Sequence, residues 1–365
     1  MLTRIIGTPL AEIDTPALLV DQAALERNLD RLAIFSRQSG IGIRPHAKSH
    51  KSPIVARMQL DRGAVGITAS KLSEAEALVL GGIDNILISS EIVGAGKIGR
   101  LVALARISRL TIVVDDISNA TDISDAASNA GLRIATLVEL NVGQTRCGVE
   151  PGREGVALAK AVEALPGLRF DGFQGYEGHL QHVDDPIERK EKSDTAVGKL
   201  VETVRLSREA GLTVRVASTA GTGTFAFAAR IPGVTDVQCG SYIFMDSDYL
   251  DVGGLPFESA LTVLTTVVST RRKTDVIVDA GWKSITVESG MPVVKANRAI
   301  TYAPAGDEHG RLTANEHEQP PKLGQKIELI PSHCDTTVNL YDNFTVVRDG
   351  LVVGIWPIVG RGRTQ

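Results

Sequence analysis

The sequence predicts an α/β chain built as a (β/α)8 TIM-like barrel followed by a C-terminal antiparallel β-domain. Two observations carry this. Up to about residue 258, short β-rich runs alternate with helix-length amphipathic segments, and beyond it strand patterns stand alone. Strands each followed by a crossover imply a parallel sheet, and eight of them close a barrel. An open doubly wound sheet has a similar rhythm, so it is the count of eight that favours closure.

Taken in order, Ala17 to Val20 is a first strand-like stretch, and Asp21 is placed to cap a helix over about residues 22–39. Strand patterns then recur at Gly42 to Arg44, Gly66 to Ala69, Asn85 to Ser89 and Leu110 to Val114. Four more follow at Ile134 to Leu140, Arg169 to Gly175, Thr213 to Ala217 and Asp236 to Gly240. Between them lie apolar residues at helical spacing, as in Leu72, Ala75, Leu78 and Val79, stopped by Gly81-Gly82. Past residue 258 come Leu261 to Val268, Asp275 to Val278, Lys326 to Ile330 and Phe344 to Val347. Asp349-Gly350, set between Thr345-Val346-Val347 and Leu351-Val352-Val353, is a hairpin signal. The expected division is a barrel over 22–258 and a β-domain made of 1–21 plus 259–365.

The 365 residues are 43% hydrophobic and 22% charged, with a formal charge of −4, which argues against a dedicated nucleic-acid or membrane surface. The densest charge run, Glu188 to Lys192, mixes signs and reads as a solvated helix face. Cys147, Cys239 and Cys334 are too few and too scattered for a disulfide framework. The N-terminus lacks the pattern of a signal peptide, and no apolar run reaches the ~18 residues of a membrane span. A cytoplasmic enzyme acting on a small molecule is expected.

Chemistry concentrates after the strand patterns, where barrels gather functional groups. Arg44-Pro45-His46-Ala47-Lys48-Ser49-His50-Lys51 follows the first barrel strand. A lysine hemmed in by cations and a barrel wall has a lowered pKa and suits condensation with an aldehyde cofactor, although a basic surface loop has the same composition. Phosphate needs close approach to backbone N–H groups after late strands. Ser218-Thr219-Ala220-Gly221-Thr222-Gly223-Thr224 and Cys239-Gly240-Ser241-Tyr242 offer it in the two expected places. Gly175 to His182 supplies Tyr176, Glu177, His179 and His182 at one mouth position. Ser332-His333-Cys334-Asp335 is read as extended, which puts His333 and Asp335 on one face with Cys334 turned away. An imidazole with a carboxylate suits Mn²⁺, Mg²⁺ or Zn²⁺.

Together these stretches resemble the D-threonine aldolase and D-serine dehydratase family of alanine-racemase-like, fold type III pyridoxal-phosphate enzymes, and D-threonine aldolase most. The motifs are Asp14-Thr15-Pro16-Ala17, Arg44 to Lys51, Val142-Gly143-Gln144-Thr145-Arg146-Cys147-Gly148-Val149 and Pro331 to Asp335. Gly240-Ser241-Tyr242, Phe244-Met245-Asp246 and Gly354-Ile355-Trp356 join them. The resemblance implies a homodimer and a pyridoxal 5'-phosphate cofactor held by Lys48. It places Thr219, Gly240 and Ser241, with Gly221 in the same loop, at the phosphate, and Arg146 and Tyr176 beside the ring. It makes His333 and Asp335 the ligands of a divalent metal and His182 the base, with His179 and Glu177 as competitors. Ser70 stands where some relatives carry a glutamine near the cofactor, and Glu177 where aldolases often carry a histidine. The implied reaction is retro-aldol cleavage of a D-3-hydroxy amino acid, such as D-threonine or a 3-hydroxyaspartate. The alternative is dehydration of D-serine or 3-hydroxyaspartate. The resemblance associates His-x-Asp with aldolases and His-x-Cys with zinc dehydratases.

Overall fold

The computed structural model describes residues 6–272 and 274–365. The described residues form two compact units: residues 32–48, 53–240 and 363–365 make one, and residues 6–31, 49–52, 241–272 and 274–362 the other. In chain order the elements begin β1 (Ala17–Asp21), α1 (Gln22–Ser39), β2 (Gly42–Ile43), α2 (Pro53–Asp61), β3 (Ile67–Ala69) and α3 (Leu72–Leu80). They continue β4 (Ile86–Ile88), α4 (Ala95–Ala105), β5 (Leu110–Val114), α5 (Ile117–Asn129), β6 (Ile134–Glu139) and α6 (Arg153–Glu163). Then come β7 (Leu168–Gly175), α7 (Pro186–Glu209), β8 (Val216–Thr219), α8 (Phe225–Ala228), β9 (Asp236–Val237) and α9 (Ser247–Asp251).

Strands β2 to β9 form one parallel sheet in the order β2-β9-β8-β7-β6-β5-β4-β3. The ring closes between its ends, where Val65 N–H donates to Ile43 O and Thr68 N–H to Pro45 O, both at 2.8 Å. The expected barrel is therefore present. Its helices start where local chemistry directs: Asp185 accepts from the N–H groups of Ile187 and Glu188, with Pro186 opening α7.

Alternation sorts the barrel's side chains. Ile86, Ile88, Ile112, Val114 and Val138 pack outward on the helices, in one core with Ala75, Leu78, Ile98 and Leu101. Leu87, Val113 and Leu137 fill the lumen with Val216 against them. One residue pair further along the strands the lumen turns polar. Gln174 Nε2 donates to Glu139 at 2.5 Å, and Gln238 Nε2 donates to Gln174 Oε1 at 2.8 Å and to Ser218 Oγ at 2.9 Å. Ser218 in turn donates to Asp236 at 2.5 Å.

One strand differs from expectation. The seventh barrel strand is Val216–Thr219 and not Thr213 to Ala217. The cause is a register shift in β7 beyond Phe170, which starts the β7–β8 ladder at Gly172↔Val216. Ser218 and Thr219 therefore belong to the strand, and the glycine loop begins at Ala220.

The second unit carries β10 (Leu261–Ser269), β11 (Asp275–Val278), β12 (Val293–Val294), β13 (Ile300–Pro304), β14 (Gly310–Ala314) and β15 (Lys326–Ile330). After them come α10 (Cys334–Val338), β16 (Asn343–Arg348) and β17 (Leu351–Pro357). Its nine-stranded sheet runs β11-β14-β13-β12-β15-β10-β1-β16-β17, and β11 also pairs with β10, so six strands form a closed ring. β1 lies antiparallel to β10 and parallel to β16. The turn at Asp349-Gly350 has positive φ at both residues, 51° and 76°, as a two-residue type I′ hairpin demands. Phe244 and Phe344 pack with ring centroids 5.4 Å apart. Among the described residues no helix is long and apolar enough to cross a membrane.

Gly172 shows how tightly the barrel is drawn: a Cβ there falls 1.9 Å from the carbonyl oxygen of Val216. Gly172→Ala is expected to lower stability by about 3 kcal/mol, since neither backbone can yield without breaking the β7–β8 ladder. A urea titration followed by far-UV circular dichroism checks this, and an unchanged midpoint refutes it.

Candidate active site

The barrel carries its polar side chains at the C-terminal ends of its strands. β2 has only two ladder residues, but its continuation stays pinned: Arg44 N–H bonds Val237 O and His46 N–H bonds Cys239 O, each at 3.0 Å. The chain then winds into a single 3-10 turn, Ala47–Ser49, with half-buried Lys48 at its centre. The Lys48 N–H faces His46 Nδ1 at 3.3 Å, and His46 Nε2 meets Ser89 Oγ at 3.2 Å. After β3, Ser70 donates both its N–H and its hydroxyl to Glu74, at 2.6 and 2.9 Å. Its hydroxyl hydrogen is thus committed to bracing α3.

The loop after β6 is shaped by Asn141, whose Oδ1 accepts from Gly143 and Thr145 N–H groups. It sets the Arg146 guanidinium 6.0 Å from the ring centroid of Tyr176, the first residue after β7. Below Arg146 lies Glu139. Burial, reinforced by Glu91, pushes its carboxyl up to about 8 against Gln174 and Arg146. Glu91, Asp115 and Cys147 bring one ligand atom each within 4.8 Å of one another. Burial and the neighbouring Glu91 push the Cys147 thiol up to about 11.

The glycine loop after β8 lies against the segment after β7. Thr219 donates its hydroxyl to Gly175 O at 2.6 Å, and Gly223 N–H donates to Gln181 Oε1 at 2.9 Å. A Cβ on Gly221 falls 2.7 Å from Gln181 Oε1 and 3.2 Å from the Tyr176 ring; one on Gly223 falls 2.1 Å from the Gln181 carbonyl oxygen. Only glycine permits this approach. Gln238 N–H bonds both Thr219 O and Ala220 O, which brings the strand leading to Gly240 beside the same loop. Thr219, Gly221, Gly240 and Tyr176 thus gather at one mouth. The donor set fits pyridoxal phosphate: a half-buried amine, a phenol ring with a cation beside it, and a loop where a Cβ finds no room. Ser241, the next residue after Gly240, opens a 3-10 turn, Ser241–Ile243, of the other unit.

The two histidines after Tyr176 part company. His179 lines an open groove with Gly143, Lys192 and Lys199 of the α7 face. Burial, then Lys199 and Lys192, hold its pKa below the ordinary value. His182 is exposed beyond the turn Gly178–Leu180.

In the β-domain the chain turns helical at Cys334, so His333 alone is extended, which corrects the sequence reading. It is the N-cap of α10, with φ −142° and ψ 124°, and Asp335 is the second residue of that helix. The two side chains nevertheless converge, with His333 Nε2 3.8 Å from Asp335 Oδ2. Cys334 turns inward and is fully buried; its N–H donates to Asp246 at 2.9 Å. Glu288, which the sequence reading overlooked, sits 2.9 Å from His333 Nδ1 and also accepts from Thr336. Burial raises the Glu288 pKa, but hydrogen bonds from Thr336 and Thr286 and the nearby His333 outweigh it and hold the carboxyl below the usual range. With Nδ1–H donated to that carboxylate, Nε2 presents a lone pair toward the Asp335 carboxylate. Two acceptors aimed at one point fit a cation, and the carboxylate behind the imidazole is the usual support of a metal-bound histidine.

Residues 20–248 match the alanine racemase N-terminal domain, and residues 260–347 match a putative serine dehydratase domain. A D-threonine aldolase from an Arthrobacter species is 42% identical over 98% of this chain and 95% of that protein. The chain belongs to the D-threonine aldolase family. With it comes the fold type III pyridoxal-phosphate class. The 3-hydroxy-D-aspartate aldolase of Paracoccus denitrificans (strain Pd 1222) is 37% identical over 98% of this chain and 94% of its own length. The crystal structure of D-threonine aldolase from Filomicrobium marinum matches with a TM-score of 0.96 at 44% identity, covering 99% of this chain and 98% of that one. Dehydratases of the family stand further off: D-threo-3-hydroxyaspartate dehydratase of Delftia sp. (strain HT23) is 30% identical over 83% of this chain and 80% of that protein. The aldolases of the family are carbon–carbon lyases.

Proposed function

We propose that this D-threonine aldolase family member cleaves a D-3-hydroxy amino acid between Cα and Cβ with the help of a divalent metal. D-threonine yields glycine and acetaldehyde; 3-hydroxy-D-aspartate yields glycine and glyoxylate. The observation that carries the reading is the convergence of His333 and Asp335, backed by Glu288, in a chain with a lysine on the turn after its first barrel strand.

In this reading the Lys48 amine holds the cofactor, and Thr219, Gly221, Gly240 and Ser241 take its phosphate. Tyr176 and Arg146 flank its ring, and Ser70, its hydrogen given to Glu74, offers only an oxygen. Pyridoxal phosphate, when bound, supplies the electron sink for the carbanion left at Cα. His333 and Asp335 hold the metal, Mn²⁺ or Mg²⁺ ahead of Zn²⁺, which lowers the pKa of the oxygen it binds. His182 takes the proton from the substrate's β-hydroxyl. The resemblance favours it over His179, which lines a groove with Lys192 and Lys199. The resemblance supports a homodimer, and three free cysteines suit a reducing cytoplasm.

The test is product identification. Protein loaded with pyridoxal phosphate and Mn²⁺ is incubated with D-threonine and with 3-hydroxy-D-aspartate. Glycine with an aldehyde is expected; a keto acid with ammonia assigns dehydration instead. Borohydride is expected to fix the cofactor on the Lys48 peptide, and a label on Lys51 overturns that assignment.

Two variants separate the roles. His182→Asn is expected to lower kcat by about 10²–10⁴-fold while the cofactor's visible spectrum persists. Near-normal turnover in that variant, with loss in His179→Asn, moves the role to His179. Glu288→Ala is expected to weaken Mn²⁺ binding about 10–100-fold by equilibrium dialysis, because the His333 ring loses its anchor. Unchanged Mn²⁺ affinity removes Glu288 from the site.

A further inference from the structure

One buried carboxyl at the barrel mouth has no part in the reading above. Glu177, the second residue after β7, has no exposed surface. Its Oε1 accepts from the Thr224 hydroxyl at 2.6 Å. Its Oε2 accepts from the Ala220 N–H at 3.1 Å and lies 3.2 Å from Thr219 Oγ1. Glu177 therefore ties the two ends of the Thr219–Thr224 loop to the end of β7.

Counting hydrogens favours a neutral carboxyl. A threonine hydroxyl has one hydrogen to give. Thr219 gives its own to Gly175 O, the shorter of its two contacts at 2.6 Å. Thr224 gives its own to Glu177, while its oxygen accepts from Gln181 Nε2 at 2.9 Å. A hydrogen from Glu177 completes the contact with Thr219, whereas an ionised carboxylate leaves Thr219 sharing its single hydrogen between Gly175 O and Glu177. Burial is the largest influence on the Glu177 carboxyl and raises its pKa, against the hydrogen bonds from Thr224 and Ala220. The groups facing it from β8, from the glycine loop and from the turn after β7 are hydroxyls and amides. From the end of β9 comes the Cys239 thiol, which burial keeps neutral.

We propose that Glu177 is a positioning residue for the cofactor's phosphate: a neutral acid that clasps both ends of the Thr219–Thr224 loop, holding its shape without setting a buried negative charge against the phosphate. The inference rests on that loop being the phosphate cradle. It also accounts for an acid at a position where the resemblance leads one to expect histidine.

The experiment compares wild type, Glu177→Gln and Glu177→Ala by absorbance titration with pyridoxal phosphate and with pyridoxal, which lacks the phosphate. Glutamine keeps the size, the neutrality, a donor toward Thr219 and an acceptor toward Thr224, and gives up only the acceptor for Ala220 N–H, so Glu177→Gln is expected to retain most of the preference for pyridoxal phosphate. Glu177→Ala leaves Ala220 N–H and the Thr224 hydroxyl unmatched and is expected to lose that preference by about tenfold or more. Infrared spectra at neutral pH are expected to show a protonated-carboxyl C=O band in wild type that Glu177→Gln lacks. Should the alanine variant fail to fold, the band and the glutamine variant still decide. Identical carboxyl bands in wild type and Glu177→Gln, loss of the phosphate preference in Glu177→Gln, or its retention in Glu177→Ala each overturn the proposal. Wild type that binds pyridoxal phosphate no better than pyridoxal overturns the cradle reading itself, and the inference with it.

Discussion

The working end of the barrel depends on how the ring is closed at β2. That strand gives only Gly42 and Ile43 to the ladder, yet it is bonded on both sides. Gly42, Arg44 and His46 donate toward β9, while Ile43 O and Pro45 O accept from the chain leading into β3. Arg44 Nε also lies 3.6 Å from Asp236, with side-chain exposures of 12% and 5%, so the closure includes a nearly dry charge pair. Breaking one partner of such a pair leaves the other buried and uncompensated. Lys48 sits two residues past the last of these bonds, so the ring closure ties down the backbone that leads to it.

Most of the barrel was legible because β-branched runs bounded by turn residues leave little choice of strand. The seventh strand slipped because Thr213, Val214 and Arg215 have strand composition; what moves the ladder downstream is the shift in β7 around Gly172, a property of the neighbouring strand. In the β-domain, Ile300–Pro304 and Gly310–Ala314 went unread because a proline and a glycine at their ends look like turns. The His333–Asp335 spacing was readable but its conformation was not, since a strand and a helix N-cap both bring such a pair together. Glu288 lies 45 residues away in sequence and has no local signature; only the folded β-domain brings its carboxylate to the ring. Glu177 was noticed as a departure, but its bonds to Thr219, Ala220 and Thr224 depend on strands that pattern alone does not put side by side.

The lumen repeats this division. Its lower layer, Leu87, Val113 and Leu137, is what a barrel interior ordinarily holds. The layer above, from Glu139 through Gln174, Gln238 and Ser218 to Asp236, is polar and linked by hydrogen bonds throughout. Polar groups buried so deeply hold their places only when they satisfy one another, and a complete network is rigid. It forms the floor on which the ends of β8 and β9 rest, so the backbone of Thr219 and Ala220 is fixed from below by Gln238 and from the side by Glu177.

The brevity of β2 has one more consequence. Native proteins open locally where ladders are short, and a strand with two paired residues is the natural place for this ring to come apart. A cofactor carried on Lys48, as proposed, is anchored beside that seam. Any ligand that binds only the closed ring stabilises it by mass action. Occupancy and local unfolding then become two readings of one equilibrium: a barrel that has lost its cofactor is also one whose amides around Arg44 and His46 exchange sooner with solvent.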